Sequence, residues 1–262
     1  MSGVDWNGIL RLPEAALAGG RRIPKTVLAK QAMLTKTEQK RLDKVARLEH
    51  FGTVQKSTTR IPPYEDDERN VQSIVFLRCE MTAGTMAVAE VAELVHKCFP
   101  NPTVLLVEAG NRACVSVALT RKSQAEQGAT VVDSIEATGA FDPGRPGYAP
   151  FLDALDFAKL PQDDLLAYLQ GIAWAVRLSR SITSLGFYPI CADRNREQLG
   201  KLIARSDALA KEISGNRQRR RDRGLSLNES AKLRVDAKRL EAEFDSVMGL
   251  IKSICTLGDT VE

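Results

Sequence analysis

From Leu233 to Ile254 the apolar residues return at alternating steps of four and three: Leu233, Ala237, Leu240, Phe244, Val247, Ile251 and Ile254. That spacing keeps one apolar seam turned toward a second helix, and a strand, whose side chains repeat every two residues, has no use for it. A matching run lies upstream, where Leu199, Ile203 (or Leu202), Ser206, Ala210 (or Leu209) and Ile213 recur at helical steps. Gly215, Gly224 and a polar stretch separate the two runs, and Ser226 with Glu229 has the spacing of a capping box, which marks a new helix start. The segment from about Asp193 to Cys255 is therefore expected to fold as an antiparallel helical hairpin with arms of roughly 30 and 40 Å. The alternative is a pair of straightened helices that associate between subunits; the glycines favour the hairpin.

The connection reads Asn216-Arg217-Gln218-Arg219-Arg220-Arg221-Asp222-Arg223, five arginines with one acid, the densest charge cluster in the chain. Three readings of it stay open. Charge runs are commonly solvated loops. An acidic protein surface would also meet it. The third reading is nucleic acid, because the planar guanidinium fork matches phosphate oxygens at little desolvation cost. No aromatic side chain stands among the arginines, so base stacking is not expected and contact would be with backbone phosphates, indifferent to base sequence. The candidate nucleic-acid-binding residues are Arg217, Arg219, Arg220, Arg221 and Arg223. DNA or RNA and a partner protein carry equal weight, with the solvated loop close behind.

The rest of the chain divides by periodicity. The stretch up to about Lys30 reads as irregular. Thr35 with Glu38 again has capping-box form, and a helix through Leu42, Val45 and Leu48 is expected to end near Phe51-Gly52. Ile61-Pro62-Pro63-Tyr64-Glu65-Asp66-Asp67 is a loop by composition. A strand is expected over Val71–Cys79, a helix over Met86–Phe99, and strands over Thr103–Val107, Ala113–Leu119 and Thr130–Ile135, with a turn at Gly110-Asn111. The Gly- and Pro-rich stretch Gly139–Gly147 is the clearest internal boundary. After it comes a helix from Asp163 to Leu185 that packs on the sheet or on its own copy. The expected fold is an α+β (or α/β) domain with a small mixed sheet over residues 1–138, then a linker (139–150), a helical connector (151–190) and the hairpin (191–262).

Charge and composition narrow the function classes. The chain of 262 residues carries a net charge of +4, mild overall, so the clustering of arginines matters more than the total. Five cysteines, odd in number and widely spaced, form no Cys-x-x-Cys pair, so neither a zinc ribbon nor a redox dithiol is indicated. The opening MSGVDWNGIL lacks the basic start and apolar run of a signal peptide, and no window approaches the roughly 20 apolar residues of a membrane span. A cytoplasmic location is expected.

Candidate chemistry is thin. His50 and His96 lie on separate expected helices without other ligands beside them, and P-loop, dinucleotide and nucleophile-elbow motifs are absent. Gly19-Gly20-Arg21-Arg22 reads as a flexible turn rather than an anion cradle. A metal-dependent nuclease would draw on Glu80, Glu108, Asp133 and Glu136, with Lys122 as base. Their spacing does not give an acid followed by acid-x-lysine, since Cys114-Val115-Ser116-Val117 occupies the strand where the second acid and lysine would stand. No catalytic residue, metal site or cofactor is assigned.

Several short motifs carry a resemblance. Ile23-Pro24-Lys25, Leu34-Thr35-Lys36, Ile61-Pro62-Pro63-Tyr64, Ala92-Glu93-Leu94-Val95-His96-Lys97-Cys98-Phe99-Pro100 and Gly110-Asn111 leading into Val115-Ser116-Val117-Ala118-Leu119 resemble the bacterial and archaeal domain of unknown function 4391 family. The charged helical pair fits it too. The family brings no residue-level activity. The resemblance implies a companion of helicases and DNA methyltransferases in phage-defence-type loci. The combined expectation is a non-enzymatic accessory or assembly protein that bridges such a partner and nucleic acid. The alternatives are the nuclease and a structural homodimer without nucleic-acid contact.

Overall fold

The run Thr103-Val104-Leu105-Leu106-Val107 is apolar on both of its alternating faces, the pattern of a strand covered on either side. In the computed structural model all five residues are fully buried inside a six-stranded sheet. The structure describes residues 3–31, 34–82, 88–125, 128–221, 224 and 226–256. They belong to two units, one ending at Arg180 and the other starting at Ser181.

The sheet of the first unit consists of β1 (Leu17–Arg22), β2 (Val45–Gln55), β3 (Ser73–Met81), β4 (Thr103–Ala109), β5 (Arg112–Lys122) and β6 (Thr130–Ala137), side by side in that order. β3 and β4 run parallel and every other neighbouring pair is antiparallel, so the sheet is mixed. The helices of this unit are α1 (Trp6–Leu10), α2 (Lys25–Gln31), α3 (Lys36–Leu42), α4 (Val88–Cys98) and α5 (Leu165–Ser179), with shorter turns between them. A parallel pair needs a crossover, and α4 supplies it between β3 and β4.

The two faces of the sheet bury different partners. Leu77 and Cys79 of β3, Leu105 and Val107 of β4 and Cys114 of β5 share a cluster with Val88, Val91, Ala92, Leu94, Val95 and Cys98 of α4. Alternation sends the intervening residues Phe76, Leu106 and Val115 to the opposite face, where α5 packs against β3, β5 and β6. The expectation that this helix lies on the sheet therefore holds. Its start is fixed by Asp164, whose carboxylate accepts from the Ala167 backbone N–H at 2.7 Å, and Gly186 closes the next short turn with a left-handed φ of 85°.

The capping box at Thr35 and Glu38 is present, with backbone bonds of 2.8 and 3.2 Å, but the helix it opens ends at Leu42. Val45–Gln55 is a strand, against expectation. The reason is a bulge. The register against β3 shifts between Val45 and Arg47, so Val45 and Leu48, three apart, are both fully buried and imitate helical spacing. The stretch before Lys30 is likewise ordered, as α1, β1 and α2. Gly19 and Gly20, at φ of 65° and 71°, occupy a second register shift, between Leu17 and Arg21, rather than a turn. Two strands thus add to the four expected in this sheet, and Tyr64–Glu65, expected within a loop, pairs antiparallel with Asn70–Val71 as a separate two-stranded sheet.

In the second unit α6 (Arg196–Arg219) and α7 (Leu227–Thr256) form the expected antiparallel pair. At 1.5 Å per residue they are about 36 and 45 Å long. Leu199, Ile203, Ser206 and Leu209 of α6 are buried, as are Ala237, Leu240, Val247, Ile251 and Ile254 of α7; Leu233 and Phe244 are half-buried. The capping box at Ser226 holds too, with the Ser226 N–H donating to Glu229 at 2.9 Å and the Glu229 N–H to the serine oxygen at 3.3 Å.

Candidate nucleic-acid interface

Gly215 does not end the first arm. It sits inside α6, which continues to Arg219, because the seam goes on beyond it: Asn216 is buried and donates its side-chain amide to the Leu233 carbonyl at 3.1 Å. The basic run is therefore split. Arg217 lies on the last turn of the helix and pairs with Glu241 of the opposite arm at 3.3 Å. Arg219 is the last helical residue, and Arg220 and Arg221 form the turn after it. Arg223 lies outside the described residues.

Arg219, Arg220 and Arg221 are exposed and make no ion pair among the described residues. One structural role is open to them, since cations at a helix C-terminus offset the partial negative charge of its free carbonyls. That accounts for the last helical turn and leaves the arginines beyond it unexplained. The first turns of α7 add Lys232, Arg234 and Lys238, also exposed and unpaired among the described residues. A search for runs of charge misses these three; helical spacing finds them, because Arg234 and Lys238 are four apart and share a face. From Lys211 to Glu241 ten basic residues face five acidic ones, a net +5 where the whole chain has +4. Nearer the base of the arms the charges are matched: Arg205 binds Glu243 at 2.5 Å, and Lys201 binds Glu197 at 2.6 Å. Unmatched positive charge is thus concentrated at the turn end of the hairpin.

Three of the four carboxylates considered for metal chemistry are committed elsewhere. Glu108, 6% exposed, accepts from the Trp6 indole N–H at 2.8 Å and from both arms of the Arg78 fork at 2.6 and 3.1 Å. It ties α1 to the sheet. Glu136, also buried, takes Arg177 at 2.5 Å and Arg180 at 2.9 Å, holding β6 to α5. Asp133 pairs with Arg69 at 2.7 Å, and Lys122 with Glu65 at 3.1 Å. Glu80 is exposed and lies beside Glu108 in register, whereas Asp133 and Lys122 belong to the β5–β6 side of the sheet. Among the described residues no group of three or more His, Cys, Asp or Glu is placed to hold a metal ion.

His96 is fully buried on α4, with Nε2 2.9 Å from the Ser116 hydroxyl and Nδ1 lacking a partner; burial depresses its pKa to about 4. No solvent reaches this pair, so it is a packing contact. His50 is on β2, with Nε2 2.8 Å from the Thr53 hydroxyl.

Fold and site define a two-unit protein: a mixed α/β sheet unit followed by an antiparallel helical hairpin with a basic end. Residues 10–244 match the family described as "Domain of unknown function (DUF4391)", and the chain belongs to that family. No curated protein and no solved structure matches it. Among the described residues no helix is long and apolar enough to cross a membrane.

Proposed function

We propose that this protein is a non-enzymatic binding and assembly factor whose hairpin end engages nucleic-acid phosphates. The observation that carries the reading is the unmatched charge of Arg219, Arg220 and Arg221 at the turn, extended by Lys232, Arg234 and Lys238 on α7. Charges left unpaired where neighbouring arginines are paired are available to an external polyanion. Binding through them is indifferent to base sequence, because phosphates carry no sequence information.

The wider role extends this reading through the resemblance noted in the sequence. In this reading the protein bridges nucleic acid to a DNA-processing partner of the helicase or methyltransferase type, within an antiviral defence system. The buried ion pairs of Glu108 and Glu136 favour this over a nuclease, since both carboxylates serve the fold.

The test is binding of a fluorescent oligonucleotide at several salt concentrations. Each phosphate contact contributes about 0.7–0.9 to the slope of log affinity against log salt. Replacing Arg219, Arg220 and Arg221 by alanine is expected to lower both affinity and slope, the slope by about two units or more. An unchanged slope would refute the hairpin contact and leave a protein partner as the ligand of the tip. Cleavage of the oligonucleotide in Mg²⁺ that disappears with Asp133→Asn would instead establish the nuclease.

A further inference from the structure

A second basic region lies in the first unit, on residues that the hairpin reading does not use. Between Arg21 and Arg47 stand nine basic residues and two acidic ones, a net +7 over a shorter segment than the hairpin end. Of the two acids, Glu38 is engaged, closing the α3 capping box and binding Lys97 at 2.5 Å; Lys25 donates at 3.4 Å to the backbone carbonyl of Asp43, whose carboxylate makes no ion pair among the described residues. Arg41 pairs with Glu90, and Arg47 with Glu49. Arg21, Arg22, Lys36, Lys40 and Lys44 have no ion-pair partner among the described residues.

Two of these unpaired cations border a recess of about 370 Å³. Its floor is Val75 and Leu77 of β3, its sides are His50 and Thr53 of β2 with Ile23 and Pro24, and Phe99 stands at the end of α4. Arg21 and Arg22 border it; Arg21 is directly opposite His50 in the β1–β2 pairing and shares its face, whereas Arg22 is opposite Glu49. The His50 ring is steadied by the Thr53 hydroxyl at 2.8 Å and the Gly52 carbonyl at 3.1 Å. The recess therefore joins an apolar floor, a half-buried aromatic ring, two side chains able to hydrogen-bond a base edge, and the guanidinium group of Arg21. Its volume is within the usual range for small-ligand sites, roughly 300–1,000 Å³.

The geometry points to a single-stranded nucleic-acid site here, with a base in the recess against Phe99 and a flanking phosphate on Arg21. In a duplex the bases are stacked and paired, and only phosphates would reach the rim. A single strand presents an unstacked base to an aromatic surface and its backbone to a cationic groove, the combination that this recess offers and the hairpin tip lacks. This deepens the nucleic-acid reading by naming the form of nucleic acid and a second contact, and it rests on different residues.

The experiment uses the full chain and a 5′-fluorescein-labelled dT12 strand, with a 12-base-pair duplex and thymidine monophosphate as competitors. In a background with Arg219, Arg220 and Arg221 changed to alanine, dT12 binding is expected to persist. Adding Arg21→Glu and Arg22→Glu is expected to weaken it by about tenfold or more, with the circular dichroism spectrum unchanged. The F99W variant supplies an independent readout, since stacking on the new indole quenches its emission with dT12 and not with the duplex. Loss of all dT12 binding on neutralising the tip would overturn this site while supporting the hairpin contact. Unchanged affinity in the Arg21→Glu/Arg22→Glu variant, or competition by the duplex equal to that by dT12, would also overturn it. Thymidine monophosphate that displaces dT12 at equal concentration would reassign the recess to free nucleotides. Tip substitutions without effect, with the recess substitutions effective, would remove the hairpin contact and leave this one standing.

Discussion

The Asn216 side chain crosses the hairpin to donate to the backbone carbonyl of Leu233 at 3.1 Å, while its own Oδ1 is buried without a partner among the described residues. A polar residue on a helix–helix seam fixes register at a cost in stability, because the half-satisfied amide pays a desolvation penalty. Asn216→Leu is therefore predicted to raise the hairpin's stability by about 1 kcal/mol. It should also permit alternative pairings of the arms. Thermal melting reports the first effect and sedimentation the second; a lower Tm with an unchanged monomer–dimer balance would contradict both.

Glu108 links α1 to β4 through Trp6 and balances Arg78. Removing one partner of a buried pair leaves a charge with nothing to offset it, at about 3 kcal/mol, and the partial exposure of Arg78 trims this to about 2 kcal/mol. Glu108→Gln is expected to lower the denaturant midpoint by that amount. Emission from Trp6 should shift to the red as its indole N–H loses the carboxylate. The variant should still bind nucleic acid if Glu108 has only this structural role.

His96 supplies a pH dependence whose sign is fixed. Its folded pKa of about 4 lies below the ordinary value of 6.5, so between these limits the unfolded chain holds more protons than the folded one. Stability attributable to His96 is complete above pH 6.5 and is lost as the pH falls toward 4, by about 3 kcal/mol in all. The comparison with His96→Gln isolates this share from that of the carboxylates. The variant's stability should change less between pH 6.5 and 4.5; parallel curves for the two proteins would show that the histidine is not held neutral.

Two glycines predict opposite outcomes. A Cβ on Gly52 would stand 2.6 Å from the Ala16 carbonyl oxygen, and backbone cannot step aside cheaply, so Gly52→Ala should cost about 2 kcal/mol or more. A Cβ on Gly215 would meet nothing within 4 Å outside its own helix among the described residues, and Gly215 is in the interior of α6. Gly215→Ala should stabilise by about 1 kcal/mol through helix propensity alone. Melting curves of both variants test the pair.

What the sequence made legible was whatever repeats locally. The heptads of α7, the capping boxes at Thr35 and Ser226, and the apolar run of β4 all follow from residues near each other in the chain. β1 and β2 were hidden because bulges break the two-residue period, and at Val45 and Leu48 replace it with a spacing that looks helical. Gly215 gave a false helix end, since packing at Asn216 outweighs its weak propensity. The Trp6–Glu108 bond joins residues 102 apart, which no local pattern discloses. Of the candidate site, the arginine run was plain. The lysines and arginines of Arg21–Arg47 were not, because they are spread over four elements, β1, α2, α3 and β2, whose arrangement only the fold discloses.

The six strands lie side by side in the order in which they are synthesised. Each strand leaving the ribosome thus finds its neighbour already made, and the sole parallel step, β3 to β4, waits only for α4. Such a topology keeps most pairings short-range and limits the entropy lost in closing loops, so the sheet is expected to assemble progressively from its N-terminal edge. Pulse-labelled hydrogen exchange would show amide protection spreading from β1 toward β6. The transient edge open to wrong pairing would then be one strand wide at each stage.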